Sequence, residues 1–368
     1  MQSVLCTILF GAFTFLYLYC FQDDMLAYAQ YVLSGGTTTY NSLVGACIIT
    51  GVLLLLSLLS SSTLSKSLRC LPALGHLPSV LVLAAITDIN VIGNGQTNIF
   101  GYAWLVALVI FVIAFAFNCL ANKMLFVSVK DSPVKGLCIN LFMLFAMFVF
   151  AISCSNTSEI DHATLRSERL TEKGEYDKVI RVIDNSNANS QELTMLRAFS
   201  LANAGQLGEC FFTPNMTTGS CSLLPLQPQK LQMLPKDCIY KTLGGIPSRG
   251  LTVKSYLETM YRRGCLSSMG KEYLLTACLL DKDLKSFAEH YAELKDSTDI
   301  QRNYSEALTL YAHLGGNVDA KFLNTEVEKS YLHFQAIKKK HPGKTLRENA
   351  LRDAYGDTYW FYYFFTAS

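Results

Sequence analysis

The sequence predicts an all-α protein, with an N-terminal bundle of about five transmembrane helices followed by an irregular array of helical hairpins. Three observations predict it. Charge is divided unequally: residues 1–154 carry nine charged side chains (Asp23, Asp24, Lys66, Arg69, Asp88, Lys123, Lys130, Asp131 and Lys135), and residues 155–368 carry the other fifty-one. The charge-poor part consists of apolar runs long enough for a bilayer core, which takes about 20 helical residues. The charge-rich part repeats apolar residues at helical spacing, interrupted by turns. Two domains follow, 1–154 in the membrane and 155–368 in water.

The spans read as 2–21, 41–60, 75–92, 101–122 and 134–154. No Lys or Arg precedes the first, no small-x-small cleavage site follows it, and Tyr19 before Cys20 does not suit lipoprotein processing; it reads as an uncleaved span. Lys66 and Arg69 fall between spans two and three, and Lys123, Lys130 and Lys135 between or at the ends of spans four and five. The first loop (Gln22–Tyr40) and the third (Ile92–Ile99) carry no basic residue. Basic loops stay in the cytoplasm. Five crossings then place the N-terminus inside and the tail outside, in the periplasm of a bacterium or in the lumenal or extracellular space of a eukaryote. Asp88 and His76 are the only charged or histidine side chains near the spans, and both sit near span ends. Carriers bury such groups near the midplane, so transport is disfavoured and Asp88 reads as an interface residue.

The soluble part begins with a helix–turn–helix pattern. Leu170-Thr-Glu-Lys-Gly174-Glu-Tyr176 places Gly174 at a helix end, with Val179, Ile180, Val182 and Ile183 on the next helix. Leu201-Ala-Asn-Ala-Gly205-Gln-Leu207 repeats that order 31 residues later. A third stretch, Tyr273–Leu280, turns at Asp281-Lys282-Asp283 without a glycine, and Leu284, Phe287, Ala288 and Tyr291 continue it. These copies resemble tetratricopeptide helix pairs, whose period is about 34 residues, although ordinary antiparallel helices read equally well. Thr213–Gly250, rich in Pro, Gly, Ser and Thr, reads as a long irregular loop pinned by Cys210, Cys221 or Cys238. Helices follow at 303–314, 324–340 and 346–366, separated by Gly315-Gly316 and Pro342-Gly343. The last holds Tyr355 and the run Tyr359–Phe365, including Trp360. These rings either seal the array as its final layer or meet the outer leaflet.

Few residues suggest chemistry. Net charge is +2, and the tail holds 26 basic against 25 acidic residues, which gives no nucleic-acid footprint. Of twelve cysteines, five (Cys210, Cys221, Cys238, Cys265 and Cys278) lie in the tail; the number is odd and the spacings match no zinc or redox motif. Ser268-Met-Gly-Lys271 is formally an SxxK, but it lacks a KTG partner and reads as a helix start capped by Ser268. His162, His290, His313, His333 and His341 form no HExxH. No metal or cofactor site is assigned. Asn156, Asn215 and Asn303 stand in N-x-S/T contexts, and Lys338-Lys339-Lys340 reads as a solvated helix C-terminus. The polar groups expected near the outer face are Asp88, Asp161 and His162.

Ser305-Glu-Ala-Leu-Thr-Leu-Tyr-Ala-His-Leu314, Phe334-Gln-Ala-Ile337 and Arg352-Asp-Ala-Tyr-Gly-Asp-Thr-Tyr-Trp-Phe-Tyr-Tyr-Phe364, with the Ala204-Gly205-Gln-Leu-Gly208 turn, resemble an uncharacterised multi-pass membrane family of Bacteroidota. The resemblance covers roughly the C-terminal half. It implies an inner-membrane protein with a periplasmic tetratricopeptide-like tail and supplies no catalytic residue. The expected function is a membrane-anchored module that binds a protein or peptide partner on its helical surface. The alternative is an envelope enzyme acting on glycan, lipid or peptidoglycan at the outer face of the membrane.

Overall fold

The computed structural model describes residues 2–64, 68, 71–91, 100–123, 133–214, 216–225, 231–235, 237–247, 250–294 and 300–366. Among these residues the chain is helical without strands, apart from one bridge between Ile89 and Phe100. It divides into two compact units, Met1–Ser158 and Glu159–Ser368.

In the first unit, four helices are long and apolar enough to cross a membrane: Gln2–Phe21, Ser42–Thr63, Ala103–Leu120 and Val134–Cys154. Asn41 starts the second by accepting the Val44 N–H at 3.1 Å. Ile48, Val52, Leu55 and Leu59 are exposed along it, as are Val109, Ile113 and Phe117 on Ala103–Lys123. Contiguous apolar surface of this extent suits lipid and not water.

The third expected span, 75–92, is shorter than the sequence suggests. A 3-10 turn, Pro72–His76, leads into the helix Leu77–Thr87. Asp88 ends the helix because its backbone and carboxylate serve the next one. Its carbonyl accepts the Gly101 N–H at 2.8 Å, and its Oδ2 accepts the Ala103 N–H at 2.7 Å. Most of the segment is packed, with Ser79, Val80, Leu81, Leu83, Ala84 and Thr87 buried and Val82 exposed.

Polar staples fix its direction. Asn140 Oδ1 accepts the Ala73 N–H at 3.1 Å, and Asn156 Nδ2 donates to the Ile89 carbonyl at 3.0 Å. Pro72–Thr87 therefore runs parallel to Pro133–Cys154. Gln2–Phe21 runs the same way, since Phe10 stacks on His76 at 4.9 Å, Phe13 on Phe148 at 3.8 Å, and Gln22 Nε2 donates to the Asn156 carbonyl at 3.3 Å. Ser42–Thr63 runs opposite: Ser79 Oγ donates to the Leu53 carbonyl at 2.7 Å, and a Cβ at Gly75 would strike Ser61. Ala103–Lys123 also runs opposite, from Asp88 at one end to Asn118, whose Nδ2 donates to the Thr63 carbonyl at 3.5 Å.

The expected first loop, Gln22–Tyr40, is instead largely a helix, Asp23–Leu33, in which Asp24–Ala29 are all buried. Lys66, Arg69, Lys130, the Lys123 side chain, Cys70, Gly93–Gly95 and Asn215 lie outside the described residues.

The second unit is a stack of helices around one core that extends from Val179 to Tyr362. Gly174 and Gly205 close two of its hairpins with φ of +72° and +70°, a conformation that glycine adopts without strain. In each, the residue after the glycine bonds back to the last helical turn: Glu175 N–H to Leu170 O at 2.9 Å, and Gln206 N–H to Leu201 O at 2.8 Å. The third turn lacks glycine yet has the same geometry. Lys282 takes φ +57°, and the Asp283 N–H reaches Cys278 O at 2.9 Å.

Two expectations change here. Thr213–Gly250 contains the helix Asp237–Leu243, and Leu223, Leu224, Leu231, Met233 and Leu234 are buried. Cys210, Cys221 and Cys238 are free, so carboxylates do the pinning. Glu168 Oε2 accepts N–H groups from Gln232, Met233 and Leu234 at 2.9, 2.5 and 2.9 Å, and Asp281 accepts the Ser220 N–H at 2.8 Å. The expected final helix, 346–366, is two helices, Lys344–Tyr355 and Tyr359–Phe365, because Thr358 caps the second by accepting the Phe361 N–H at 3.2 Å.

Candidate functional site

The C-terminal helix shows how the second unit is held. Tyr359, Trp360, Phe361 and Tyr362 are buried, and Trp360 packs 5.2 Å from Tyr331 and 5.9 Å from Phe334. The rings thus form the last layer of this core. Glu306, itself buried, anchors that layer: its Oε2 accepts the Tyr359 N–H at 2.7 Å, and its backbone carbonyl accepts the Trp360 indole N–H at 2.8 Å. Arg302 links Glu306 and Asp357, each at 2.9 Å. Burial pushes the Glu306 carboxyl up to about 7, against the pull of the Tyr359 N–H and Arg302. At the other edge Lys282 donates to the Thr366 carbonyl at 2.7 Å, with Tyr362 and Tyr363 beside its ammonium. The side-chain anchor therefore accompanies the one non-glycine left-handed residue among the described positions.

Two concave features lie on this unit. The first is a groove of about 210 Å³ between Tyr176–Asn185 and Gln191–Asn203, lined by Ile183, Ser186, Asn189, Thr194, Arg197 and Met216 among others. Arg197 is buried there, bonded to Asp184 Oδ1 at 2.9 Å and to the Phe211 carbonyl at 2.6 Å. The second is a cleft of about 500 Å³ lined by Lys338, Lys344, Arg347, Glu348, Phe364, Phe365 and Thr366. Lys338 is half-buried with its Nζ 3.4 Å above the Phe364 ring; the expected solvated terminus describes Lys339 and Lys340, which are exposed, but not Lys338. Burial, then the neighbouring Arg347, draws the Lys338 ammonium below its ordinary value.

The sequence-derived candidates are distributed otherwise. Asp88 belongs to the first unit, where it caps Ala103–Lys123; Asp161 and His162 are half-buried on Glu159–Glu172 in the second. Ser267, not Ser268, caps its helix, accepting the Gly270 N–H at 3.1 Å. Asn303 is buried, and its Oδ1 accepts the Phe211 N–H at 3.2 Å, so it is closed to glycosylation in this fold. His313 meets Glu328 at 2.8 Å, and His333 meets the Tyr355 hydroxyl at 2.7 Å. Among the described residues no three His, Cys, Asp or Glu side chains are placed to hold a metal ion.

Sequence reasoning missed Glu168, Glu306 and the basic cleft. The glutamates sit in helices among other polar residues, so nothing in the spacing marks them as buried. Glu306, Asp357, Thr358, Tyr359 and Trp360 do fall within the stretches that carry the family resemblance, and these stretches prove to be the anchor of the last layer.

The fold defines the class: an all-helical protein with four helices suited to a membrane and a second, polar-surfaced helical unit. Residues 253–366 match a family of unknown function (DUF6057). No curated protein and no solved structure matches the chain.

Proposed function

We propose that the chain is a multi-pass membrane protein of the bacterial inner membrane that presents residues 159–368 outside the cytoplasm as a module for binding a peptide or protein partner. The observation carrying this reading is the alternating direction of the four long apolar helices and the shorter Pro72–Thr87 in the first unit. Pro72–Thr87 is about 26 Å long as a 3-10 turn plus an α-helix, a few ångströms short of the roughly 30 Å hydrocarbon core, a mismatch that local thinning absorbs. It lies antiparallel to both of its sequence neighbours, so it counts as the fifth crossing.

Gln2 and Lys135 then share one face of the membrane, and Asp23, Asp88 and Asn156 the other. Sequence places the remaining basic connections on the Lys135 side, which is cytoplasmic by the positive-inside rule. The chain leaves the membrane after Cys154 on the opposite side. The polar groove beside Arg197 supports the binding role, since stacked helical hairpins present such concave surfaces to extended ligands.

The test is thiol labelling in intact cells. Cys221 and Cys265 are free and exposed; an impermeant maleimide should label them and should not label a cysteine introduced by Lys135→Cys until the membrane is opened. Labelling of position 135 from outside, with the tail protected, would overturn the reading.

A further inference from the structure

The cleft under the C-terminal helix holds more positive charge than its surroundings neutralise. Lys338, Lys344 and Arg347 face a single carboxylate, Glu348, and that carboxylate is bonded to Arg352 at 2.8 Å. Among the described residues no ion pair is formed by Lys338, Lys344 or Arg347. Arg347 Nε is shielded from solvent and has no acceptor, although buried donors are almost always paired. The first turn of Lys344–Tyr355 adds to the field, because Gly343 supplies no side-chain cap and a helix N-terminus carries partial positive charge. Cations gathered without counter-charges, one with an orphaned donor, mark a place that an anion completes.

The geometry points to a phosphoryl group bearing two negative charges as the ligand of this cleft, held by Lys338, Lys344 and Arg347, with Phe364 and Phe365 as an apolar wall against the group to which it is esterified. The charge count favours the class: Arg352 already pairs with Glu348, so the positive charge of Lys338, Lys344 and Arg347 is met further by a phosphate monoester dianion than by a singly charged carboxylate. Arg347 contributes the planar fork that suits phosphoryl oxygens, and the lysines act as point charges. The Phe364 and Phe365 rings favour an ester with an apolar or aromatic substituent. The inference does not depend on which side of the membrane the unit occupies.

Phenyl phosphate titrated into the full-length protein in neutral detergent tests it by calorimetry. One saturable site is expected. Lys344→Gln with Arg347→Gln should weaken binding at least tenfold, and Glu348→Gln should tighten it several-fold, a gain that a misfolded variant would not give. Benzoate should bind much more weakly. Two sources of the phosphoryl group are then separated by nanodiscs. A site for a lipid phosphomonoester makes phosphatidic acid discs compete with phenyl phosphate while phosphatidylcholine discs do not; a site for a soluble ester leaves both discs without effect. Absence of saturable binding, equal affinity for benzoate, or unchanged affinity in the double variant would overturn the assignment.

Discussion

Replacing Glu168 separates a pinning carboxylate from an ordinary helical glutamate. The side chain is fully buried, and its Oε2 takes three consecutive N–H groups, from Gln232, Met233 and Leu234. Glu168→Ala strands at least the two buried ones, at about 1–3 kcal/mol each, for a total of about 2–6 kcal/mol. A domain of this size is stable by only about 5–15 kcal/mol, so the loss should be obvious. Glu168→Gln keeps one oxygen in the Oε2 position and should cost little near pH 5. Burial pushes the Glu168 carboxyl up to about 7, outweighing the three N–H groups that favour its charged form. The folded pKa is thus raised above the unfolded value of about 4.3. The stability linked to that proton is complete below the unfolded value and is lost as pH rises through about 7. Wild type should therefore weaken between pH 5 and 8, and Glu168→Gln should weaken less, gaining on wild type as pH rises. Urea titration followed by fluorescence measures this. The chain has two tryptophans, so a Trp104→Phe background leaves Trp360 as the reporter of the second unit. An Ala variant within 1 kcal/mol of wild type, or Gln and wild-type profiles that stay parallel from pH 5 to 8, would refute the reasoning.

Two further substitutions probe the turns and the membrane unit. At Gly205 a Cβ would meet nothing within 4 Å, so Gly205→Ala should cost only the left-handed backbone penalty, about 1–2 kcal/mol, and β-branched Gly205→Val should lower the urea midpoint further. By contrast Lys282→Gly should relieve a similar strain yet release the Thr366 carbonyl and the ring contacts. Urea midpoints should then show no net stabilisation, and proteolysis should begin at the C-terminal helix; a clear gain in stability would count against the anchor. Asp88→Ala should lower the melting temperature of the purified protein because it uncaps Ala103–Lys123, a loss of about 0.5–2 kcal/mol. Asp88→Asn, which retains an oxygen acceptor, should recover much of that loss, and equal behaviour of the two variants would argue against capping.

Much of the helical plan was legible because it is written in one dimension. Apolar runs of bilayer length and charge-free stretches need no partner to be recognised, and Gly174 and Gly205 announce their turns because few other residues tolerate positive φ. The helices Arg302–His313 and Thr325–Lys340 fell close to their expected places for the same reason. Composition misled where burial depended on distant residues. Gln22–Tyr40 reads as a loop, yet its apolar residues pack as the helix Asp23–Leu33; Thr213–Gly250 looks like a polar loop, yet it packs into the core because Glu168 and Asp281, far along the chain, accept its backbone N–H groups.

The sequence by itself determined that the chain is helical, that one part is apolar enough for lipid, and where several of the helices start and stop, since each of these depends on local pattern and average polarity. Only tertiary structure decided that Glu168 and Glu306 are buried anchors, that Lys282 takes a glycine's conformation, that the aromatic C-terminus is a core layer, and that Lys338, Lys344 and Arg347 gather in one cleft. Those outcomes depend on residues brought together from distant positions, and the energy of a charge or a hydrogen bond is set by what surrounds it in space.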